Sequence, residues 1–403
     1  MLNKIIFPLF FVLVLISEGP FQKAMGQPLN PGSIPKEYKA LYSELDQKLQ
    51  EIDQQLTKIW DGQKHSTAFS VELIMANSHR GEALLQEDTF KVILLTLDRL
   101  QSLGVKGIMV GISYPILNAS FPHSNDYLNF YKRLASEIKG RGFVLIIETT
   151  ATFHEREFSD VKVDYSGLTM ERYKREKLQM AEAILREMRP DYFTIDTEPM
   201  TQQRITGVRY SVKEYTEMVQ FVLKNLEHSG VKIGTGAGTW DDFSYFESLA
   251  KNTAVDYIDM HVYPIQRDYL FDNTLKIASI AHAYGKKLSI GETWLYKAFE
   301  KEFAGAEASQ SAIFSRDVYS FWMPLDQKFL EIMVKLSHHL KLQFLSLFWM
   351  QYLYGYLEYD KTTGTMKPMS LSKQVNGVAY KNIVLNNPSQ TGLTFQRLIK
   401  DGD

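Results

Sequence analysis

The feature that most constrains this chain is a rhythm: eight short apolar runs alternate with stretches of helical periodicity between residues 68 and 349. The runs cover residues 68–74, 107–113, 143–148, 192–198, 232–236, 257–263, 287–292 and 344–349. They are short and nearly continuous in apolar character, as strands buried on both faces must be. Helical stretches at 89–103, 126–139, 168–188, 212–228, 241–251, 271–284 and 310–340 separate them. A strand that follows its predecessor in parallel needs a crossover, and a helix supplies it. Eight such units over this length match a (β/α)8 TIM barrel, typically about 250 residues. The competing α/β architecture, a doubly wound open sheet, normally carries a Gly-rich phosphate loop after its first strand. Here Met75-Ala-Asn-Ser-His-Arg-Gly81 follows, without G-x-G-x-x-G. Gly234-Thr-Gly236-Ala-Gly238 is Gly-rich but follows the fifth run, where it reads as a tight strand-to-loop turn.

The chain ahead of the barrel divides in two. Lys4, the apolar run at 5–16 and the small residues of Ala24-Met25-Gly26 form a secretory signal peptide, residues 1–26, with cleavage before Gln27. The run is short for a membrane span, so no stable insertion is expected after cleavage. A secreted or periplasmic product follows, the alternative being an anchor by the uncleaved signal. Residues 27–65 hold a Pro/Gly/Ser linker and an amphipathic helix at 37–60. Tyr38, Leu41, Leu45, Leu49, Ile52, Leu56 and Ile59 lie on one stripe of that helix. The barrel domain then takes residues 66–403.

Composition removes several function classes. The 45 Lys+Arg against 47 Asp+Glu leave a formal charge of −2, with no basic excess to neutralise phosphates, so nucleic acid is not an expected partner. The absence of cysteine removes disulfides, thiolate nucleophiles and Cys-ligated metals. Of the 9 histidines, His338 and His339 are consecutive and so do not share a helical face. They lack the i, i+4 spacing of a zinc helix. No H-x-H follows the first run, so neither a metal nor a cofactor is expected.

Barrel enzymes carry their catalytic groups where strands exit into the following loops. Two strand ends present carboxylates: Glu198 in Thr194-Ile-Asp-Thr-Glu-Pro199 and Glu292 in Ser289-Ile-Gly-Glu-Thr-Trp294. Strands four and seven face one another across the barrel mouth, so the two side chains can converge. Paired carboxylates flanking a scissile bond are the machinery of glycoside hydrolysis, one protonated and one ionised. Glu72 and Glu148, at the ends of strands one and three, read as loop salt-bridge partners that could also meet sugar hydroxyls. Asp196 and Asp259 share the inward phase of Glu198 and His261 and are read as supports, with Arg204 or Arg209 as partners. Among the tryptophans, Trp294 neighbours Glu292, Trp240 is a second stacking surface and Trp322 reads as helix packing.

In order and position these motifs resemble the clan A retaining glycoside hydrolases. The resemblance runs over about residues 66–352. Thr197-Glu198-Pro199 is similar to that group's Asn-Glu-Pro after strand four, with Thr197 in place of the Asn that contacts the sugar 2-hydroxyl. Gly291-Glu292-Thr293-Trp294 is similar to the nucleophile element after strand seven, as in the endo-β-1,4-galactanase branch. The resemblance implies a barrel enzyme that cleaves β-glycosidic bonds of a polysaccharide or oligosaccharide with retention. Glu198 would be its acid/base and Glu292 its nucleophile. It further implies substrate contacts from Thr197, His261, Tyr263, Trp294 and Trp349, with His261 or Tyr263 steadying Glu292.

Two other readings compete. Asp191-x4-Asp196-x-Glu198 resembles part of the strand-four element of chitinase-type barrels, in which the substrate's acetamido group is the nucleophile. Thr194 departs from that element, and the reading leaves Glu292 without a role. A sugar-binding barrel without catalysis is the third reading, motivated by Thr197.

Overall fold

The computed structural model describes residues 34–156, 158–263, 268–304 and 310–400. The expected signal peptide and most of the linker lie outside these residues. Eight parallel strands close into a barrel in sequence order, β1-β2-β3-β4-β5-β6-β7-β8. They are β1 (Ala68–Glu72), β2 (Gly107–Gly111), β3 (Val144–Glu148), β4 (Tyr192–Thr194), β5 (Lys232–Gly238), β6 (Tyr257–Val262), β7 (Lys287–Thr293) and β8 (Phe344–Leu347). β1 pairs with β8 through Ala68↔Phe344 to Val71↔Leu347, which leaves no free edge. All eight apolar runs are therefore strands of one (β/α)8 barrel.

The lower barrel is plugged by rings. Tyr192, Tyr257 and Phe344 stand at the starts of β4, β6 and β8, with centroids 5.1–5.7 Å apart. Met109 and Ile146 pack with Tyr257 and Phe344 in one buried cluster. Alternate strands filling one interior layer is the rule for this barrel type. Gly234 makes the plug possible, because a Cβ there would lie 2.1 Å from the Tyr257 ring. With the bottom filled, the cavity for chemistry is at the C-terminal mouth.

The outer ring departs from expectation in one place. The helix expected at 310–340 is broken into Gln310–Phe314, two 3-10 turns (Ser315–Val318 and Ser320–Trp322) and Met323–Leu340. Pro324 starts the last segment, at a position where its missing N–H costs nothing. The break is held by Lys297 from the loop after β7. Its ammonium donates to Asp326 at 2.5 Å and lies 3.5 Å from Asp317, all three side chains buried. The N-terminal helix Lys39–Ile59 buries Leu41, Leu45, Leu49, Ile52 and Leu56. It lies against Met323–Leu340: Tyr42 stacks on Trp322, and Lys335 reaches Asp53 at 2.5 Å.

Candidate active site

Glu198 owes its position to a kink. β4 stops at Thr194, and Glu198 takes the left-handed conformation (φ 50°, ψ 59°) as the cap of the short helix Pro199–Thr206. A non-glycine residue there is strained and persists only where its surroundings dictate it. They do so through Asp196, which turns away from the barrel axis. Its carboxylate accepts from the Tyr173 hydroxyl (2.9 Å) and the Thr197 amide (3.0 Å), with the Lys177 ammonium 3.5 Å away. Lys177 also donates to the Ile195 and Thr149 carbonyls. The expected arginine partners are not used: Arg204 pairs with Glu155 instead. Asp196 is fully buried in this network.

Glu292 is placed by a bulge. The register between β6 and β7 shifts after Met260, so that His261 pairs with Glu292 and Gly291 is passed over. A Cβ at Gly291 would lie 2.6 Å from the Asp259 carboxylate and 2.9 Å from that of Glu148, so only glycine fits.

These two devices bring the two carboxylates onto one imidazole. His261 Nδ1 lies 2.7 Å from Glu198 Oε1 and 3.4 Å from Glu292 Oε2. The two oxygens therefore stand no more than 6.1 Å apart. His261 Nε2 meets Glu148 Oε2 at 3.1 Å, and the Thr197 hydroxyl donates to Glu148 Oε1 at 3.1 Å. The Tyr263 hydroxyl donates to Glu292 Oε2 at 2.5 Å. Glu198 and Glu292 retain 14% and 18% side-chain exposure, whereas His261 retains 1%. The two carboxylates thus reach the surface of the mouth, while the imidazole lies beneath them.

Electrostatics follow from the geometry. Burial alone would push the His261 imidazole down, but the charges of Glu148 and Glu292 and the bonds to Glu148 and Glu198 lift it well above its ordinary value. Both ring nitrogens face carboxylate oxygens, an arrangement that favours the charged ring. Burial raises Glu292 well above the usual carboxylate range; His261 opposes this, and Glu72, Glu148 and Glu198 reinforce it. Glu72 is pushed up to about 8, by burial first, against the 2.6 Å bond from Asn77. Asp241, whose carboxylate accepts from the Gly238 amide at 2.8 Å, is pushed up to about 7 by burial and, further, by Glu198. Acidic groups this tightly coupled release their protons as a set.

Glu148, His261 and Glu292 place metal-ligand-type atoms within 4.8 Å of one another. Each ring nitrogen of His261 faces a carboxylate, so the histidine also ties the trio into one hydrogen-bonded cluster.

The expected substrate-contacting residues divide. Tyr263 stands beside Glu292, and its ring stacks on Tyr296 with centroids 4.4 Å apart. Trp349 is half-buried, against Phe348 (4.4 Å) and Phe314 (6.0 Å). Thr197 is fully buried with its hydroxyl on Glu148, so it touches the site only through that carboxylate. Trp294 is fully buried and does not line the cleft. The chain leaves β7 at Thr293, and the indole turns between Tyr352 (5.7 Å) and Phe329 (6.3 Å). Trp240, by contrast, keeps part of its surface and lies 5.9 Å from the Tyr263 ring. Glu148, expected as a loop salt-bridge partner or a contact for sugar hydroxyls, instead anchors His261. The strand-end rule that selected Glu198 and Glu292 points to it equally. Asp241 carried no signal, since its role depends on how the loop after β5 folds back.

No family model matches this chain, and no curated protein matches it in sequence. Its fold is shared with solved structures at low identity. It is similar to GH5_18 from Bifidobacterium longum subsp. longum ATCC 55813 (11% identity, TM-score 0.55, 83% of this chain and 79% of that one). It is similar to the exo-beta-1,4-mannosidase Op5Man5 from Opitutaceae bacterium strain TAV5 (10%, 0.54, 85% and 60%). A third likeness is to the family 1 β-glucosidase from Thermotoga maritima (9%, 0.50, 84% and 99%).

Proposed function

We propose that this protein is a retaining glycoside hydrolase acting on β-linked sugars, with Glu292 as nucleophile and Glu198 as acid/base. The observation that carries the reading is the convergence of the β4 and β7 carboxylates on one nitrogen of His261. Retention calls for carboxyl groups about 5–5.5 Å apart and inversion for roughly 6.5–9.5 Å. The 6.1 Å limit on the two facing oxygens lies below the inverting range, which supports direct attack by Glu292. The barrels it resembles include proteins named as a mannosidase and a β-glucosidase, which agrees with this assignment.

The residues divide the work. Tyr263 donates to Glu292 Oε2 and His261 Nδ1 stands 3.4 Å from the same oxygen, and both reward the ionised form. The other oxygen, Oε1, is left to attack the anomeric carbon. Glu198, held by His261 at 2.7 Å, gives the proton of its own carboxyl to the departing oxygen and later takes one from the attacking water. Glu148 keeps the imidazole charged and oriented from behind. Activity should be bell-shaped in pH. Its acid limb lies above the ordinary carboxylate value, because Glu292 must lose a proton that its surroundings favour.

Glu292→Ala should abolish turnover of every substrate, and azide should restore it with inverted product. Glu198→Ala should spare dinitrophenyl glycosides, whose leaving group needs no proton. Product stereochemistry by NMR reads retention directly. Near-normal activity of Glu292→Ala, with loss in Asp196→Ala, would replace this mechanism by the substrate-assisted one. We also propose that the protein acts outside the cytoplasm, after cleavage before Gln27.

A further inference from the structure

We propose that this site removes terminal sugars from chain ends and does not cut inside a polymer; the inference rests on the glycosidase reading. Its basis is a bridge of rings across the barrel mouth. In a closed eight-strand barrel β3 and β7 are diametrically opposed. The loop after β3 carries Phe153 and Phe158, with centroids 5.7 Å apart. The segment after β7 carries Tyr296 and Phe314, 4.9 Å apart. Phe158 and Phe314 meet edge to face at 5.9 Å, so the two opposed loops touch. Phe314 also reaches Trp349 at the end of β8.

The β3 side of this bridge is fixed on both flanks. Arg204, from the helix that begins immediately after Glu198, pairs with Glu155 at 2.6 Å and lies over the Phe153 ring at 5.8 Å. His79, from the loop after β1, meets Phe153 edge-on at 5.3 Å, and its carbonyl accepts from the Asp160 amide at 2.8 Å. On the β7 side, Tyr296 stacks on Tyr263, the donor to Glu292. The bridge is therefore tied to Glu292 through Tyr263 and to the helix that follows Glu198 through Arg204.

An internal cut requires sugar units on both sides of the scissile bond and an open groove for the chain in each direction. A bridge joining opposite rims closes the groove in one direction and leaves a blind end, which holds a chain terminus. The low exposure of Glu198 and Glu292 agrees with a covered site.

The test begins with a panel of p-nitrophenyl β-glycosides, which identifies the sugar accepted by the full-length protein. The β-linked hexasaccharide of that sugar, labelled at its reducing end, is then digested to low conversion. The expected products are monosaccharide and labelled pentasaccharide, without di-, tri- or tetrasaccharide. Early intermediate-length products would overturn the inference and leave the glycosidase reading standing. Cleavage of β-linked polysaccharides with the panel silent would overturn the inference and leave the glycosidase reading standing, whereas silence on both with folded protein would remove that reading and this inference with it. The Phe158→Ala/Phe314→Ala double variant should release intermediate-length products and bind the terminal sugar up to about tenfold more weakly. If the variant is folded and active but still yields only monosaccharide, the bridge is not what restricts the cut.

Discussion

The chemistry of this site is set by single residues held where they would not rest alone. Glu198 occupies a left-handed conformation that its neighbours enforce, and Gly291 is the residue that lets Asp259 and Glu148 approach the β7 backbone. Glu72 shows the electrostatic side of the same arrangement. Burial lifts its carboxyl from the ordinary 4.5 to about 8 in the folded protein. Between those values the native chain holds a proton that the unfolded chain has released. Its contribution to stability is therefore fully present below the unfolded value and is lost as pH rises through the folded one. Asp241, Asp259 and Asp317, each raised to about 7, carry the same sign. Urea midpoints should fall as pH rises from about 4.5 to 8. Glu72→Gln should flatten that fall; an unchanged slope would show that Glu72 does not hold the proton.

At the scale of elements, the mouth is assembled by segments that interrupt the regular barrel. The long helical stretch after β7 reads as one helix because its apolar periodicity is continuous. It breaks because Pro324 opens a new helix and because buried Lys297 needs both Asp317 and Asp326. That break is what carries Phe314 over the site. The N-terminal helix has a simpler logic. Its stripe of leucines packs on Met323–Leu340, while Lys328–Asp46 and Lys335–Asp53 are partly exposed pairs that contribute little. Leu49, 2% exposed, is the natural probe. Leu49→Ala should cost about 2–5 kcal/mol in chemical denaturation. Turnover of the folded fraction should stay unchanged, since the helix supplies no side chain to the carboxylate–histidine cluster.

For the whole molecule, the aromatic richness has two uses. Tyr192, Tyr257 and Phe344 fill the bottom of the barrel, while Phe158, Phe314, Tyr296 and Trp349 close over its top. Composition alone favours a large core over a sugar cleft, and the rings divide between the two layers. Among the described residues no helix is long and apolar enough to cross a membrane. The proposed export has its own check at this scale: N-terminal sequencing of protein from the native host should begin at or near Gln27. Intact Met1 in the cytosol would exclude it.

What the sequence by itself determined is whatever depends on periodicity and strand order. Eight runs apolar on both faces, separated by crossover helices, admit a closed parallel barrel, and its strand direction puts Glu198 and Glu292 at the same mouth. Local patterning also shows the amphipathic stripe of the N-terminal helix. What only the tertiary structure decided depends on contacts between residues far apart in the chain. Glu148 and His261 are 113 positions apart, and their pairing needs β3 and β6 to face one axis. Trp294 looked like a cleft residue because it adjoins Glu292, yet the strand ends between them and the indole turns into the core. Asp196 shares a strand phase with Glu198, but the chain leaves β4 before either is reached, and Lys177 and Tyr173 draw its carboxylate outward. Side-chain direction at a strand end follows from where the hydrogen-bonded ladder stops, and that is set by the neighbouring strands rather than by the residue itself.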